Sequence, residues 1–99
     1  MLHIINKSPL EKTSLDTCLA TAQPGAAILL IEDGVYGATR GNSAAAKLRD
    51  AMASCKVYAL RPDLEARGMA DRVLDGVTLV DYGGFVDLVT EYPNGQSWM

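Results

Sequence analysis

Histidine, cysteine and clustered positive charge are all scarce in this 99-residue chain, and each scarcity excludes a class of function. One histidine, His3, lies in the N-terminal run Leu2-His3-Ile4-Ile5. No Ser/His/Asp set can be assembled around it, and no zinc-ligand cluster forms. Cys18 and Cys55 are too few for a disulfide framework, and no Cys-x-x-Cys spacing exists. Nine Lys and Arg stand against twelve Asp and Glu, a formal net charge of −3 with no basic stripe, which argues against a general nucleic-acid binder. No apolar run is long enough to cross a membrane. The N-terminus has no basic segment followed by an apolar stretch and cleavage site, so a cytoplasmic setting with reduced thiols is expected. No internal repeat or low-complexity linker interrupts the chain. Its length and its ordinary 48% hydrophobic content suit one domain spanning 1–99. A domain of this size buries only about 60–65% of its unfolded surface, so assembly would add stability.

What is present is organised around one stretch, Ala26 to Asn42. Ala26 to Ile31 is uncharged and apolar, and Ala27–Ile31 reads as the second strand, buried on both faces. It ends in Glu32-Asp33-Gly34 and continues through a loop punctuated by Gly37 and Gly41. Gly34 is expected to supply a positive φ at the strand exit, and Asp33 to cap the turn. Sites in open parallel sheets lie beyond the carboxyl ends of the strands, which places this loop on the working edge.

The remaining elements follow in order. Leu2 to Asn6 reads as a first strand, with the His3 ring partly solvated at its start. After Ser8-Pro9, Thr13 or Ser14 caps a helix whose Leu15, Cys18, Leu19 and Ala22 form one apolar stripe. Gln23-Pro24-Gly25 ends it. Asn42 or Ser43 opens a second helix with Ala44, Leu48, Ala51 and Met52 on one face. Lys56-Val57-Tyr58-Ala59-Leu60 reads as a strand, with Val57–Leu60 its apolar part. Pro62 and Gly68 bracket one or two helical turns. Val77 to Val80 is a fourth strand. Asp81 caps a last helix from Tyr82 to Tyr92, with Phe85, Leu88, Val89 and Tyr92 on one face. The tail Gln96-Ser97-Trp98-Met99 packs on the domain or adds an edge strand. Strands alternating with helices imply a parallel sheet and a small α/β, flavodoxin-like, three-layer sandwich.

The motifs weigh toward structure. Gly34-x-x-Gly37-x-x-x-Gly41 matches neither the dinucleotide fingerprint nor the P-loop. Glu32 and Asp33 leave a strand pointing apart, which favours turn and cap roles over acid–base work. A response-regulator receiver needs acids after its first strand, where this chain has Asn6-Lys7. Cys18 and Cys55 are the reactive side chains left, and each sits where a structural role is natural. Cys18 lies beyond the first helical turn, so the helix dipole lowers its pKa little. Asp16 opposes its thiolate, and Lys7 and Lys12 favour it only if the preceding loop folds back.

Several segments together resemble the DsrH/TusB family, the small subunit of the DsrEFH and TusBCD sulfur-relay complexes. They are Met1 to Pro9, Leu29 to Val35, Lys56 to Gly68, Val80 to Leu88, and the Trp98 ending. The resemblance implies a flavodoxin-like subunit without flavin or other cofactor, joined to DsrE/TusD-like and DsrF/TusC-like partners in a heterohexamer. Such complexes pass persulfide sulfur to a DsrC/TusE-type carrier, for 2-thiolation of the tRNA wobble uridine or for dissimilatory sulfur oxidation. The main persulfide cysteine of the family lies on the DsrE/TusD partner. DsrH-type members carry a further cysteine in the first helix, which Ser14-Leu15-Asp16-Thr17-Cys18-Leu19 matches. Three readings stay open: a structural and docking subunit, a sulfurtransferase using Cys18 as a persulfide site, and a stand-alone small-ligand module built on the glycine loop. A homo-oligomer in isolation is compatible with the first two.

Overall fold

Short apolar segments separated by helices bury themselves most economically side by side and pointing the same way. The computed structural model describes residues 1–8, 14–42, 44–92 and 94–98. It contains strands β1 (Leu2–Ile5), β2 (Ala27–Leu30), β3 (Lys56–Leu60), β4 (Thr78–Val80) and β5 (Gly95–Trp98). They form one sheet in the order β4-β3-β2-β1-β5, and every pairing is parallel. Its helices are α1 (Ser14–Thr21), α2 (Ala45–Ala51), α3 (Arg61–Ala66) and α4 (Tyr82–Glu91). Two 3-10 segments, Glu32–Ala38 and Ala70–Arg72, complete the described elements.

Handedness distributes the helices. From β1 to β4 the chain steps across the sheet in one direction, so right-handed crossovers put α1, α2 and α3 on one face. From β4 to β5 it jumps back past three strands, which puts α4 on the other face. The alternation of side chains along the strands matches. Ile5, Ile28, Leu30, Val57 and Ala59 meet Leu15, Cys18, Leu48 and Leu64 on the first face. Leu2, Ala27 and Leu29 meet Leu88 of α4 on the second. All four residues of β2 are buried, as its uncharged composition requires. Truncating a fully buried side chain such as Leu48 to alanine would cost about 2–5 kcal/mol.

The helix ends follow local chemistry. The Asp81 carboxylate accepts the Gly84 N–H at 2.8 Å, an N-cap that contributes about 1 kcal/mol. After α3, Gly68 (φ +67) donates to the Glu65 carbonyl and Met69 to the Leu64 carbonyl, the two bonds of a Schellman stop. Asn42 accepts the Ala44 N–H at 2.7 Å and donates to the Tyr36 and Thr39 carbonyls, tying the first 3-10 segment to the start of α2. Thr13 and Ser43, the alternative caps, lie outside the described residues, as does Pro93.

Four local expectations are corrected. The residues expected to form a loop after β2 instead wind into the 3-10 segment, with Gly34, Val35, Gly37 and Ala38 buried. Positive φ falls on Glu32 (φ 49), not on Gly34. Gly34 serves close approach: a Cβ there would land on the Ile5 carbonyl of β1. His3 is buried, at 3% exposure, because its strand is flanked on both sides by β2 and β5. Val89 points outward, at 46% exposure, while Phe85, Leu88 and Tyr92 face the sheet. The tail takes the edge-strand option as β5.

Gly34→Ala should therefore lower stability by about 2–4 kcal/mol in urea unfolding. Gly25→Ala, at a positive φ but in open space, should cost only about 1 kcal/mol. Equal costs for the two would refute the close-approach role. Burial, then the nearby N-terminal ammonium, holds the His3 imidazole below its ordinary 6.5. The unfolded chain takes up that proton first, so the fold keeps its full stability above about pH 6.5 and loses it as pH falls. His3→Gln should flatten that acid limb in a pH series of melting temperatures.

Candidate functional site

Two places could hold chemistry: the carboxyl edge of the sheet and the first-helix cysteine. At the carboxyl edge, ligand crevices open where neighbouring strands send their connections to opposite faces. Here that happens between β3 and β4. β3 leads into α3 on one face and β4 into α4 on the other. The switch point thus lies between Arg61 and Pro62, which follow β3, and Asp81 and Tyr82, which follow β4. No cysteine, serine or histidine falls at these strand ends.

The carboxylates nearby are engaged in holding the edge together. Asp63 of α3 accepts the Glu32 backbone N–H at 2.6 Å, which steadies the positive-φ residue. Arg67 reaches the Asp33 Oδ1 with Nε at 3.0 Å and Nη2 at 2.9 Å, and adds a bond to the Asp63 carbonyl. Half of the Asp33 side chain is exposed, so the pair contributes about 1 kcal/mol or less. Asp33 was expected to cap the turn; it pairs with α3 instead. Sequence reasoning missed the bracing by Asp63 and Arg67, because no local pattern links residues more than thirty positions apart. Among the described residues, no group of three His, Cys, Asp or Glu could hold a metal ion.

Cys18 lies on the inner stripe of α1, fully buried among Leu15, Leu30 and their neighbours. Burial, reinforced by Cys55, pushes its thiol from an ordinary 9.0 up to about 12. Asp16, expected to oppose the thiolate, pairs instead with Lys47 of α2 at 2.9 Å. The neutral thiol is therefore the dominant form of Cys18 at neutral pH. Cys55 is also buried, its Sγ 3.6 Å from the Gln23 carbonyl. The two cysteines share one core cluster, away from the carboxyl edge. Two hollows of about 420 and 470 Å³ open at the opposite, amino edge. One is lined by His3, Thr21 and Gln23 and the other by Met52, Cys55 and Thr78.

Within the glycine stretch, the Gly34 N–H is bonded to the Ile31 carbonyl and the Thr39 N–H to the Tyr36 carbonyl, and Gly34, Val35, Gly37 and Ala38 are buried.

Comparison with known families decides the affiliation. Residues 7–94 match the family model described as DsrH like protein. The chain belongs to the DsrH family. Protein TusB of Pectobacterium atrosepticum is 40% identical over 98 residues, covering 99% of this chain and all of that one. Protein TusB of Escherichia coli K12 is 38% identical over the same length and coverage. Among solved structures, the ychN protein of E. coli superposes with a TM-score of 0.79 at 14% identity, over 98% of this chain and 97% of that one. MTH1491 of Methanobacterium thermoautotrophicum, titled a protein of unknown function, gives 0.72 at 20% identity, over 97% and 95%. These structural likenesses show the fold. The chain thus spans the length of these curated relatives and carries a first-helix cysteine sealed in the core.

Thiol labelling checks the sealing. In a Cys55→Ser background at pH 8, Cys18 should react at least about a hundredfold more slowly in the folded than in the urea-unfolded chain. The raised pKa also carries a stability signature. The unfolded thiol ionises from about pH 9 and the folded one near 12, so stability should fall through that window. Cys18→Ala should remove this component of alkaline unfolding.

Proposed function

We propose that this DsrH-family chain is a non-catalytic subunit of a cytoplasmic sulfur-relay complex, where it completes the assembly and helps shape the surface that meets the sulfur carrier. Family membership supports the relay, and the burial of Cys18 carries the non-catalytic assignment. A persulfide donor needs a thiolate that its acceptor can reach. Cys18 is buried in the core, which argues against that role, and among the described residues no cysteine lies at the carboxyl ends of β3 and β4. The partners in this reading are DsrE/TusD-like and DsrF/TusC-like subunits, and the DsrC/TusE-like carrier receives sulfur from a partner's cysteine. The final acceptor is either the tRNA wobble uridine or the sulfur-oxidation pathway, and a docking role is the same in both.

The test is reconstitution. Cys18→Ser, co-expressed with the DsrE- and DsrF-like subunits and given a persulfide donor, should assemble and deliver sulfur to the carrier at a rate within about twofold of wild type. Loss of transfer with the assembly intact would assign Cys18 a relay role, reached through displacement of α1 from the sheet.

A further inference from the structure

The second face of the sheet is covered thinly. Among the described residues, sixteen form a buried cluster on the α1 side, whereas on the α4 side four do: Leu2, Ala27, Leu29 and Leu88. Around those four, Ile4, Ile31, Tyr58, Val80, Phe85 and Tyr92 are only half-buried. The outer face of α4 is itself apolar. Tyr82, Val86 and Val89 are 62%, 63% and 46% exposed, and their spacing of four and three residues aligns them in one stripe. They are three of the four large apolar side chains strongly exposed among the described residues. Tyr82 opens α4 at the carboxyl edge of the sheet, so the stripe runs from that edge along most of the helix.

Charge selects what covers this stripe. From Val73 to the end of the chain there are four acids, Asp75, Asp81, Asp87 and Glu91, and no lysine or arginine. Asp87 and Glu91 are exposed on α4, flanking the stripe. Lys56 shares this face of the sheet, at the amino end of β3, opposite the Tyr82 end. A second copy packing α4 antiparallel on α4 about a two-fold axis at Val86 would set Asp87 near its own equivalent and Glu91 near the other copy's Asp81, acid against acid, which is repulsive. We propose that the α4 stripe docks a different protein chain, one that presents an apolar patch rimmed by lysine and arginine. Val86 sits at the centre of the contact, with Asp87 and Glu91 meeting the basic rim. This inference rests on the reading of the chain as a complex subunit and names the surface that joins it to its neighbours.

The experiment uses the full chain co-expressed with its DsrE- and DsrF-like subunits, with affinity measured after separation and remixing. Val86→Asp changes an exposed position, and an unchanged melting curve would verify the fold. It should weaken assembly at least about tenfold. Asp87→Lys with Glu91→Lys should weaken it about threefold or more, and rising salt should weaken the wild-type complex. Wild-type affinity in folded Val86→Asp would overturn the docking surface while leaving the subunit reading intact. A wild-type homodimer that Val86→Asp dissociates, with assembly of the three subunits unaffected, would overturn the choice of occupant. A wild-type chain that ignores both subunits at micromolar concentration would overturn the subunit reading and this surface together.

Discussion

β2 has no side that faces water, and the layout of the molecule answers that requirement. Its four residues are all buried, so both faces need cover and both backbone edges need partners. β1 and β3 supply the edges in register. On one face α1, α2 and the buried 3-10 segment close over Ile28 and Leu30, and Gly34 lets that segment come down onto β1. On the other face, among the described elements, the cover comes from α4 alone, because a single crossover runs in the reverse direction. The difference in thickness between the two layers is thus a consequence of strand order. The layer with one helix is also the layer that displays Tyr82, Val86 and Val89.

Fold class and strand positions were legible because the apolar runs are short, uncharged and separated by clear stops. Asp81 and the pair Pro62 and Gly68 could be placed for the same reason, since caps depend on neighbours in sequence. What could not be read depends on distant partners. Gly34 looks like a turn glycine until the Ile5 carbonyl is known to lie over it. His3 looks solvated until the C-terminal tail is laid along β1. Periodicity on α4 misassigned Val89, because this helix is apolar on more than one side and nothing local tells the inner stripe from the outer. For the candidate site, the inner-stripe position of Cys18 was visible in the spacing with Leu15 and Leu19. The switch point between β3 and β4 was not, since it follows from strand order.

Cys18 illustrates how one residue type divides between chemistry and packing. A thiol in this core behaves as a small apolar group that fills space beside Leu15 and Leu30. Its resistance to ionisation and its shielding from oxidants have the same cause, removal from water. A helix of eight residues holds that seal. An isolated helix this short is marginal in water, so the contacts of α1 with the sheet, rather than its own hydrogen bonds, keep it in place.

The pairing of β5 with β1 joins the two ends of the chain, with Leu2 opposite Gly95 and Ile5 opposite Trp98. The Leu2 N–H is also bonded to the Asn94 carbonyl at 3.1 Å. These contacts span nearly the full contour of the polypeptide, the most expensive closure this sequence can make. Until β5 is laid down, β1 has one edge without a strand partner. A fragment lacking β5 leaves β1 as an apolar edge of the kind that recruits other strands, so the β1–β5 pairing also shields the sheet from association through that edge.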